Sequence, residues 1–423
     1  MKGEYNSEMR ILVVNTFYYP NMTGGAEQSV KLLAEGLCQK GHQVAVYCVD
    51  SKDGKCEISE HNGVKIYRYT TNRFNLYKFS YDKKSIGKVE KIHQKLISLF
   101  NRKCVKDFEF VCVDFKPEVI HTNSVYGMSQ MVWRKAYKMK IPVVHTIRDI
   151  GIVSPVQYGH KANKLLMTLH KSMTRYTTGF VSAVTAPSQY TLQTSLDTGS
   201  FSNVIEKQCI FNSVEINIEE IKKIIAEKRS RTDKKIKFMY AGRLIYFKGI
   251  EHMIEAFECI HNQNCELHIC GNGNMKEFVE EWAKKDIRII YHGKLNNKQL
   301  ADMYDECDVL LMPSCWPEPF GRVLIEGNIH GMPVIAGKCG GIPEIIDTTK
   351  GGVLYEAGNA GELAEKMEMM LKRELYHGYF DSIIRSIDTY NIKHQLNAFL
   401  HIYNIVTQSK NNPDKPRGKN GKN

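Results

Sequence analysis

Apolar positions along the chain fall into short continuous runs separated by stretches of helical spacing. The run Ile11–Asn15 reads as a buried strand, since a strand covered on both faces loses its alternation. Gly24 and Gly25 follow on a loop. From Glu27 to Lys40, Val30, Leu33, Ala34 and Leu37 recur at i, i+3, i+4 and i+7, one face of a helix. Gly41 ends that helix and Gln43–Cys48 resumes as a strand. Further strands are expected at Val64–Tyr69, Val119–Thr122, Pro142–Ile147 and Ala183–Ala186. A second cycle opens with a strand at Lys237–Ala241 and a helix at Ile250–His261. It continues with strands at Leu267–Cys270, Ile287–Tyr291, Val309–Met312, Val334–Ala336 and Val353–Tyr355, and helices that include Gln299–Glu306 and Leu363–Arg373.

Two rounds of strand and helix predict an α/β protein of two doubly wound domains, with ligand in the cleft at the carboxyl ends of the strands. The hinge is placed near residue 207, just ahead of the charged segment Ile218–Thr232. That gives domains 1–206 and 207–385. A last amphipathic helix, Asn391–Val406, carries Ile392, Leu396, Phe399 and Tyr403 on one face, within a segment taken as 386–408.

Composition narrows the class. The 423 residues are 43% hydrophobic and 25% charged, which excludes a mainly disordered chain. Twelve cysteines with no C-x-x-C pair make neither a zinc ribbon nor a disulfide framework, so a reducing cytoplasm is expected. No stretch approaches the roughly 18 apolar residues of a membrane span, and Met1–Met9 does not lead into a signal-peptide core. The formal charge of +12 favours an anionic partner. It concentrates in Lys83–Lys106, with eight basic residues against Glu90, and in the tail from Lys410, with five against Asp414. Residues 409–423 are expected to be disordered. Ile86, Val89, Leu96 and Phe100 stand among the lysines at helical spacing, and Lys161–Arg175 repeats the pattern with Leu165, Leu166, Leu169 and Met173. Such basic amphipathic stretches suit peripheral attachment to the inner face of an anionic membrane.

The chemistry-bearing segments follow strands and precede helices. In Glu318-Pro-Phe-Gly-Arg-Val-Leu-Ile-Glu326, Gly321 lets a phosphate approach a helix N-terminus, where the macrodipole favours negative charge. Glu326 lies about one and a half turns further and can accept hydrogen bonds from two vicinal hydroxyls. Arg243 and Lys248, after the Lys237–Ala241 strand, place two cations beside another helix start, which suits a diphosphate. Gly271-Asn-Gly273 and Gly340-Gly341 are weaker, each compatible with a plain turn. No dinucleotide fingerprint follows Ile11–Val14, which argues against an NAD oxidoreductase.

Gly24-Gly-Ala-Glu27 with Gly41-His-Gln-Val44, Gly242-Arg243 with Lys248-Gly249, the E-x7-E pattern from Glu318 to Glu326, and Pro333-Val-Ile-Ala336 followed by Gly340-Gly-Ile-Pro-Glu344 together resemble the retaining glycosyltransferases of family 4, with the GT-B fold. The resemblance runs from Arg10 to about Ile405. It implies a sugar transfer from a nucleotide-sugar, of the UDP or GDP type, to a glycan or lipid-linked acceptor in cell-surface polysaccharide or glycolipid synthesis. Arg243 and Lys248 would bind the donor diphosphate and stabilise the leaving group. Glu318 would lie at the donor sugar and Glu326 would hold the ribose hydroxyls. Backbone N–H groups of Gly321, Arg322, Val323 and Leu324 would contact phosphate or sugar oxygens, Gly271 and Gly273 would line the donor site, and Gly24 and Gly25 would approach the donor phosphates and acceptor. The final helix would cross back onto the N-terminal domain.

One departure stands out. Members often carry T-x-H-D where this chain has Thr146-Ile-Arg148-Asp149. Arginine stays charged and cannot act as a base, but Arg148 can stabilise phosphate or orient the sugar. His145, three residues earlier, is taken as an ordinary buried strand histidine. The leaving diphosphate gains charge as the glycosidic bond breaks, so fixed cations and helix dipoles stabilise the transition state above the ground state. No Asp-x-Asp triplet occurs, and neither a metal nor another cofactor is expected. No covalent nucleophile is nominated. The competing functions are a membrane- or polyanion-binding protein with an inactive GT-B fold and a GT-B sugar-nucleotide epimerase; nucleic-acid binding lacks any motif.

Overall fold

The computed structural model describes residues 8–22, 24–49, 57–69, 100–148, 151, 164–231 and 235–410. The chain divides into two compact units, Met1–Ser213 with Ile392–Asn423, and Val214–Asn391. The basic stretch at 83–99, Asp149, Lys161 and the tail from 411 lie outside the described residues.

The first unit holds an eight-stranded sheet. Its strands are β1 (Arg10–Val14), β2 (Gln43–Val49), β3 (Glu57–His61), β4 (Val64–Tyr69), β5 (Val119–Thr122), β6 (Val143–Thr146), β7 (Ala183–Ala186) and β8 (Glu206–Cys209). They lie in the order 3-4-2-1-5-6-7-8. All neighbours are parallel except the antiparallel pair β3 and β4. The strands buried on both faces are those legible as apolar runs. The two edge strands, Glu-Ile-Ser-Glu-His and Glu-Lys-Gln-Cys, are polar and were not visible as patterns. Because β8 pairs in register with β7, a hinge at 207 would cut the sheet; the change of unit falls at Ser213.

Helices cover both faces of this sheet. On one side Cys104, Phe108, Val111, Val132, Trp133 and Ala136 pack against Leu12, Tyr47, Ile120 and Val184. On the other, the helix Gly25–Gln39 and the C-terminal helix Ile392–Lys410 bury Val30, Leu33, Leu37, Phe399, Leu400 and Tyr403 against Ile11, Val13, Val46 and Val144. The two helices approach closely at Gly36, where a Cβ would stand 2.9 Å from Leu396 Cδ1. The C-terminal helix therefore belongs structurally to the first unit, although its sequence follows the second.

The second unit holds a six-stranded parallel sheet of β9 (Ile236–Ala241), β10 (Cys265–Cys270), β11 (Ile289–Gly293), β12 (Val309–Met312), β13 (Val334–Gly337) and β14 (Gly352–Tyr355), ordered 11-10-9-12-13-14. Strand order reverses between β9 and β12, as it does between β1 and β5 in the first sheet. At such a switch point the connections leave in opposite directions, opening a crevice at the carboxyl ends of the strands. The expected Leu363–Arg373 helix runs instead over Ala360–Met370, with Arg373–His377 as a separate short turn of helix. The strand at Ile287–Tyr291 is displaced to Ile289–Gly293, since Ile287 is 92% exposed and packs on nothing that would hold it in the sheet.

Candidate active site

The loops after β9 and β12 meet at the switch point of the second unit. After β9 the chain passes Gly242 and the exposed Arg243, then makes a single 3-10 turn, Tyr246–Lys248, into the helix Ile250–Glu258. Gly249 joins turn and helix with φ +71°, and a Cβ there would overlap the Pro313 carbonyl. Only glycine lets the two loops lie this close. Cys315 N–H donates to the Phe247 carbonyl at 3.0 Å, fixing the two loops together.

This packing brings Lys248 to Glu318. The Lys248 ammonium donates to Glu318 Oε1, which also accepts from Ser314 Oγ at 2.8 Å. Both charged side chains are half-buried, while Ser314 is buried. The backbone of Glu318 is held from a third loop: Gly341 N–H donates to the Glu318 carbonyl at 2.7 Å. That explains Gly340-Gly341, which close on the backbone of Glu318. The loop after β10 closes the fourth side. Gly242 N–H donates to the Cys270 carbonyl at 3.0 Å, and a Cβ on Gly271 or Gly273 would overlap the Gly242 or Leu244 carbonyl. These two glycines thus serve the close approach of loop to loop.

The helix Arg322–Ile329 starts at Gly321, whose φ is +111°. Arg322 Nε donates to Glu326 Oε1 at 2.8 Å, a pair one helical turn apart. The buried Tyr304 lies on the other carboxylate oxygen, its hydroxyl 3.5 Å from Glu326 Oε2. Burial, with the Glu326 charge second, pushes the Tyr304 phenol well up, so it stays a donor. Arg322 is thereby placed as the partner that orients Glu326. Leu324 is buried and its N–H donates to the Gly321 carbonyl at 3.0 Å, so this group closes the helix start itself. Val323 is half-buried beside it.

Arg243 differs from Lys248. Its carbonyl accepts from the buried Tyr240 hydroxyl at 2.8 Å, which fixes the backbone, while its side chain has no ion-pair partner among the described residues. Two arrangements of cation therefore sit on one loop, one pinned to a carboxylate and one reaching outward.

Arg148, Gly24 and Gly25 belong to the first unit. Arg148 follows β6; its Nε donates to Asn123 Oδ1 at 2.9 Å and its Nη1 to Asn212 Oδ1. Asn123 ends β5 and Asn212 follows β8, so one guanidinium ties three loops. Gly24 is the exposed N-cap of the helix Gly25–Gln39, in an extended conformation open to any residue, and Gly25 is the exposed first residue.

His145 is fully buried on β6. Its Nδ1 lies 2.9 Å from Thr122 Oγ1, its ring stacks on Phe201 at 5.7 Å, and the edge of Trp133 is 4.9 Å away. Burial lowers its pKa to about 3, aided by the Arg148 charge. His121 on β5 is equally buried, between Tyr403 Oη at 2.6 Å and Thr146 Oγ1 at 2.7 Å. Burial, then Arg148 and His145, hold it well below the ordinary histidine range. Both rings are neutral core groups.

Sequence inspection missed Ser314, Asn123, Asn212 and Tyr304. Ser314 had a faint signal, a small polar residue just past a strand end and four residues before Glu318. The other three carry no motif, because their partners come from distant loops. Among the described residues, no group of three or more His, Cys, Asp or Glu side chains is arranged to hold a metal ion, and no helix is long and apolar enough to cross a membrane.

Comparison with known proteins places these features. The family Glycosyl transferases group 1 matches residues 221–385, and Glycosyltransferase Family 4 matches residues 23–203. An uncharacterised 42.6 kDa protein of the Klebsiella pneumoniae cps region is 32% identical over 351 residues, 80% of this chain and 87% of that protein. The sucrose-phosphate synthase of Thermosynechococcus elongatus superposes with a TM-score of 0.73 at 17% identity, covering 95% of this chain and all of its own. The Anabaena HepE protein, solved with UDP and glucose, superposes with a TM-score of 0.67 at 17% identity, covering 94% of this chain and all of its own. The two doubly wound sheets are those of the GT-B fold.

Proposed function

Because the chain belongs to the glycosyltransferases of group 1 and family 4, we propose that it is a retaining, hexosyl-type glycosyltransferase that takes a nucleotide-sugar donor at the loops after β9 and β12. The observation that carries this reading is the Lys248–Glu318 pair with Arg243 beside it, at the switch point of the second sheet. The donor diphosphate lies against Arg243 and Lys248, which hold its charge as the sugar departs. Glu326, oriented by Arg322 and Tyr304, accepts from the ribose hydroxyls. Glu318 has two tasks: its carboxylate fixes Lys248, and with Ser314 as a second donor it faces the sugar hydroxyls. Arg148 acts as a fixed positive charge for phosphate or sugar oxygens. UDP is the favoured nucleotide, since HepE was solved with UDP and glucose. The acceptor is a glycan or a lipid-linked sugar, and the cps-region relative supports a place in cell-surface polysaccharide synthesis.

A donor screen tests this. Purified protein is incubated with UDP- and GDP-sugars, and hydrolysis and thermal shift are read together. At least one nucleotide-sugar is expected to raise the melting temperature and to be hydrolysed slowly. Absence of both effects with every donor would remove the assignment. Activity with the selected donor is expected to persist in excess EDTA, because side-chain cations take the part of a metal at the diphosphate. Full loss in EDTA, restored by Mg2+ or Mn2+, would show that they do not.

A further inference from the structure

We propose that Lys228 and Arg231 are positioning residues of the donor site: together they clamp the end of the helix Asn297–Glu306, and through Tyr304 they hold the Glu326 carboxylate where it meets ribose. The inference rests on the nucleotide-sugar reading and adds to it two side chains outside every motif of the donor loops. Lys228 lies on the helix Ile218–Ser230 and is fully buried. A lysine almost never reaches that state unless its ammonium is paired. Burial lowers its pKa to about 8, against the pull of the Asp308 charge. The partners it has found are the carbonyls at a helix end, which have none within their own helix. In Asn297–Glu306 the Met303 carbonyl accepts from Cys307 N–H at 3.0 Å, which leaves those of Tyr304, Asp305, Glu306 and Cys307. Lys228 Nζ donates to the Tyr304 carbonyl at 3.0 Å and to the Cys307 carbonyl. Arg231 Nη1 donates to the Glu306 carbonyl at 3.0 Å and its Nη2 to the Asp305 carbonyl at 2.6 Å. Two cations thus take all four, at the end of the helix where the macrodipole favours positive charge.

The clamp is also fixed to the sheet. Asp308 is buried at the start of β12, 3.7 Å from Arg231 Nη1, and its Oδ2 accepts from Lys237 N–H at 2.9 Å. From the clamped end, contacts cross to the helix that carries Glu326. The Tyr304 hydroxyl lies 3.5 Å from Glu326 Oε2, and its ring stacks on His330 at 5.1 Å. Asp305 Oδ1 lies 2.7 Å from His330 Nδ1. The turn behind Glu326 meets the Lys228 helix directly: a Cβ on Gly331 would stand 2.9 Å from Ile225 Cγ1 and 3.5 Å from Lys228 Cδ. The helix Ile218–Ser230 therefore touches both the end that presents Tyr304 and the end of the helix that presents Glu326. Tyr304 is at once the residue whose carbonyl Lys228 holds and the one whose hydroxyl meets Glu326, so displacing the clamped end moves the hydroxyl with it. A site group is only as precise as the hydrogen bonds that lock its neighbours.

Ribose discrimination by the full chain decides it. Binding of UDP and of 2′-deoxy-UDP is measured by titration calorimetry, with GDP and 2′-deoxy-GDP as the second pair. The parent chain is expected to prefer the ribonucleotide at least about ten-fold, the worth of a hydrogen bond to a charged group. Lys228→Met and Tyr304→Phe are each expected to cut that preference at least about three-fold, half the free energy of that bond. Their combination is expected to cut it no further than the stronger single change, since the two act along one chain of contacts. Arg231→Met is expected to cut it in the same direction; its side chain is only half-buried, and it carries the test should Lys228→Met not fold. A role in stability alone would lower the melting temperature and leave the preference as it was, which would overturn the proposal. So would additive effects of Lys228→Met and Tyr304→Phe. A parent chain that binds UDP or GDP without preferring ribose removes Glu326 from the ribose and the proposal with it, whereas one that binds neither nucleotide removes the nucleotide-sugar reading itself and this inference along with it.

Discussion

The two units hold the loops at their switch points with a different balance of backbone and side-chain links. In the second unit, loops after four strands are joined backbone to backbone, through Gly242, Gly249, Gly271, Gly273 and Gly340. The glycines let main chains touch, so charged side chains are left to point outward, with Arg243 exposed and Lys248 and Glu318 half-buried. In the first unit side chains add to backbone links such as Thr16 N–H to the Ser124 carbonyl at 2.9 Å. Asn15 accepts from Ser124 N–H at 2.9 Å, and Asn123 and Asn212 both accept from Arg148. There the cation is a strut, and its charge is spent partly on the fold. On the second unit's loops Arg243 reaches outward, whereas Arg148 is also engaged in holding loops together.

The sharpest break in the comparison would come from Lys248→Ala. Turnover is expected to fall at least about 100-fold, since one preorganised charge at a leaving group is worth roughly 3 kcal/mol. The melting temperature should change little, because a half-buried ion pair contributes modestly to stability. Steady-state kinetics with the donor found in the screen read the first, and calorimetry the second. A folded variant with near-parental turnover would move the chemistry elsewhere.

Gly249→Ala tests the joint itself. The new Cβ meets the Pro313 carbonyl and the backbone already sits at φ +71°, a conformation that costs a side chain about 1–2 kcal/mol before any clash. Activity is expected to drop by at least about ten-fold through displacement of Lys248 from Glu318, because misplacing a catalytic group by about 1 Å can cost more than this. The melting temperature is expected to fall as well. Gly24→Ala, in extended conformation with a new Cβ in ordinary contact with Glu27 Oε2 at 3.8 Å, should leave the fold unchanged, which thermal denaturation would verify.

Acid should separate the units. His121 and His145 are neutral when folded and take up protons near pH 6.5 only when unfolded. Stability from these rings is complete above that pH and is lost as pH falls below it, for His145 from about 6.5 towards 3. Each contributes a slope of up to about 1.4 kcal/mol per pH unit across that window. In the second unit His292 and His377 are lowered too, but both are only half-buried, and Glu266 opposes the shift at His268. Hydrogen exchange compared at pH 7 and pH 5 is expected to rise more in the first unit, with β5 and β6 as reporters. An equal rise in both units would contradict the assignment of these histidines as buried neutral groups.

The smallest effect is expected from Ser314→Ala. Removing one hydroxyl donor from the Glu318 carboxylate costs about 1.5 kcal/mol, or about ten-fold in turnover, with Lys248 still in place. Loss as large as that of Lys248→Ala would mean that Ser314 acts on the substrate directly.

How far the chain could be read depended on whether a signal was local. Buried strands such as Ile11–Val14 and Val309–Met312 were legible because burial on both faces makes every position apolar. The edge strands Glu57–His61 and Glu206–Cys209 were not, because an edge strand is held by backbone pairing and can be polar throughout. The proposed donor-side residues Arg243, Lys248, Glu318 and Glu326 could be picked out because each sits at a fixed spacing from a strand end or a helix start, within one segment of chain. What each glycine beside them touches was not. Gly271 and Gly273 invite a phosphate-loop reading, yet the space they open is filled by the carbonyls of Gly242 and Leu244. The sequence alone determined two α/β cycles, a set of cations and carboxylates near strand ends, and a surplus of positive charge in Lys83–Lys106 and the tail. Tertiary structure alone decided that Lys248 meets Glu318, that Tyr304 reaches Glu326 and that Arg148 is shared by two asparagines. Local propensity acts over a few residues, whereas these pairings join segments dozens of residues apart and exist only once the sheets have ordered their loops.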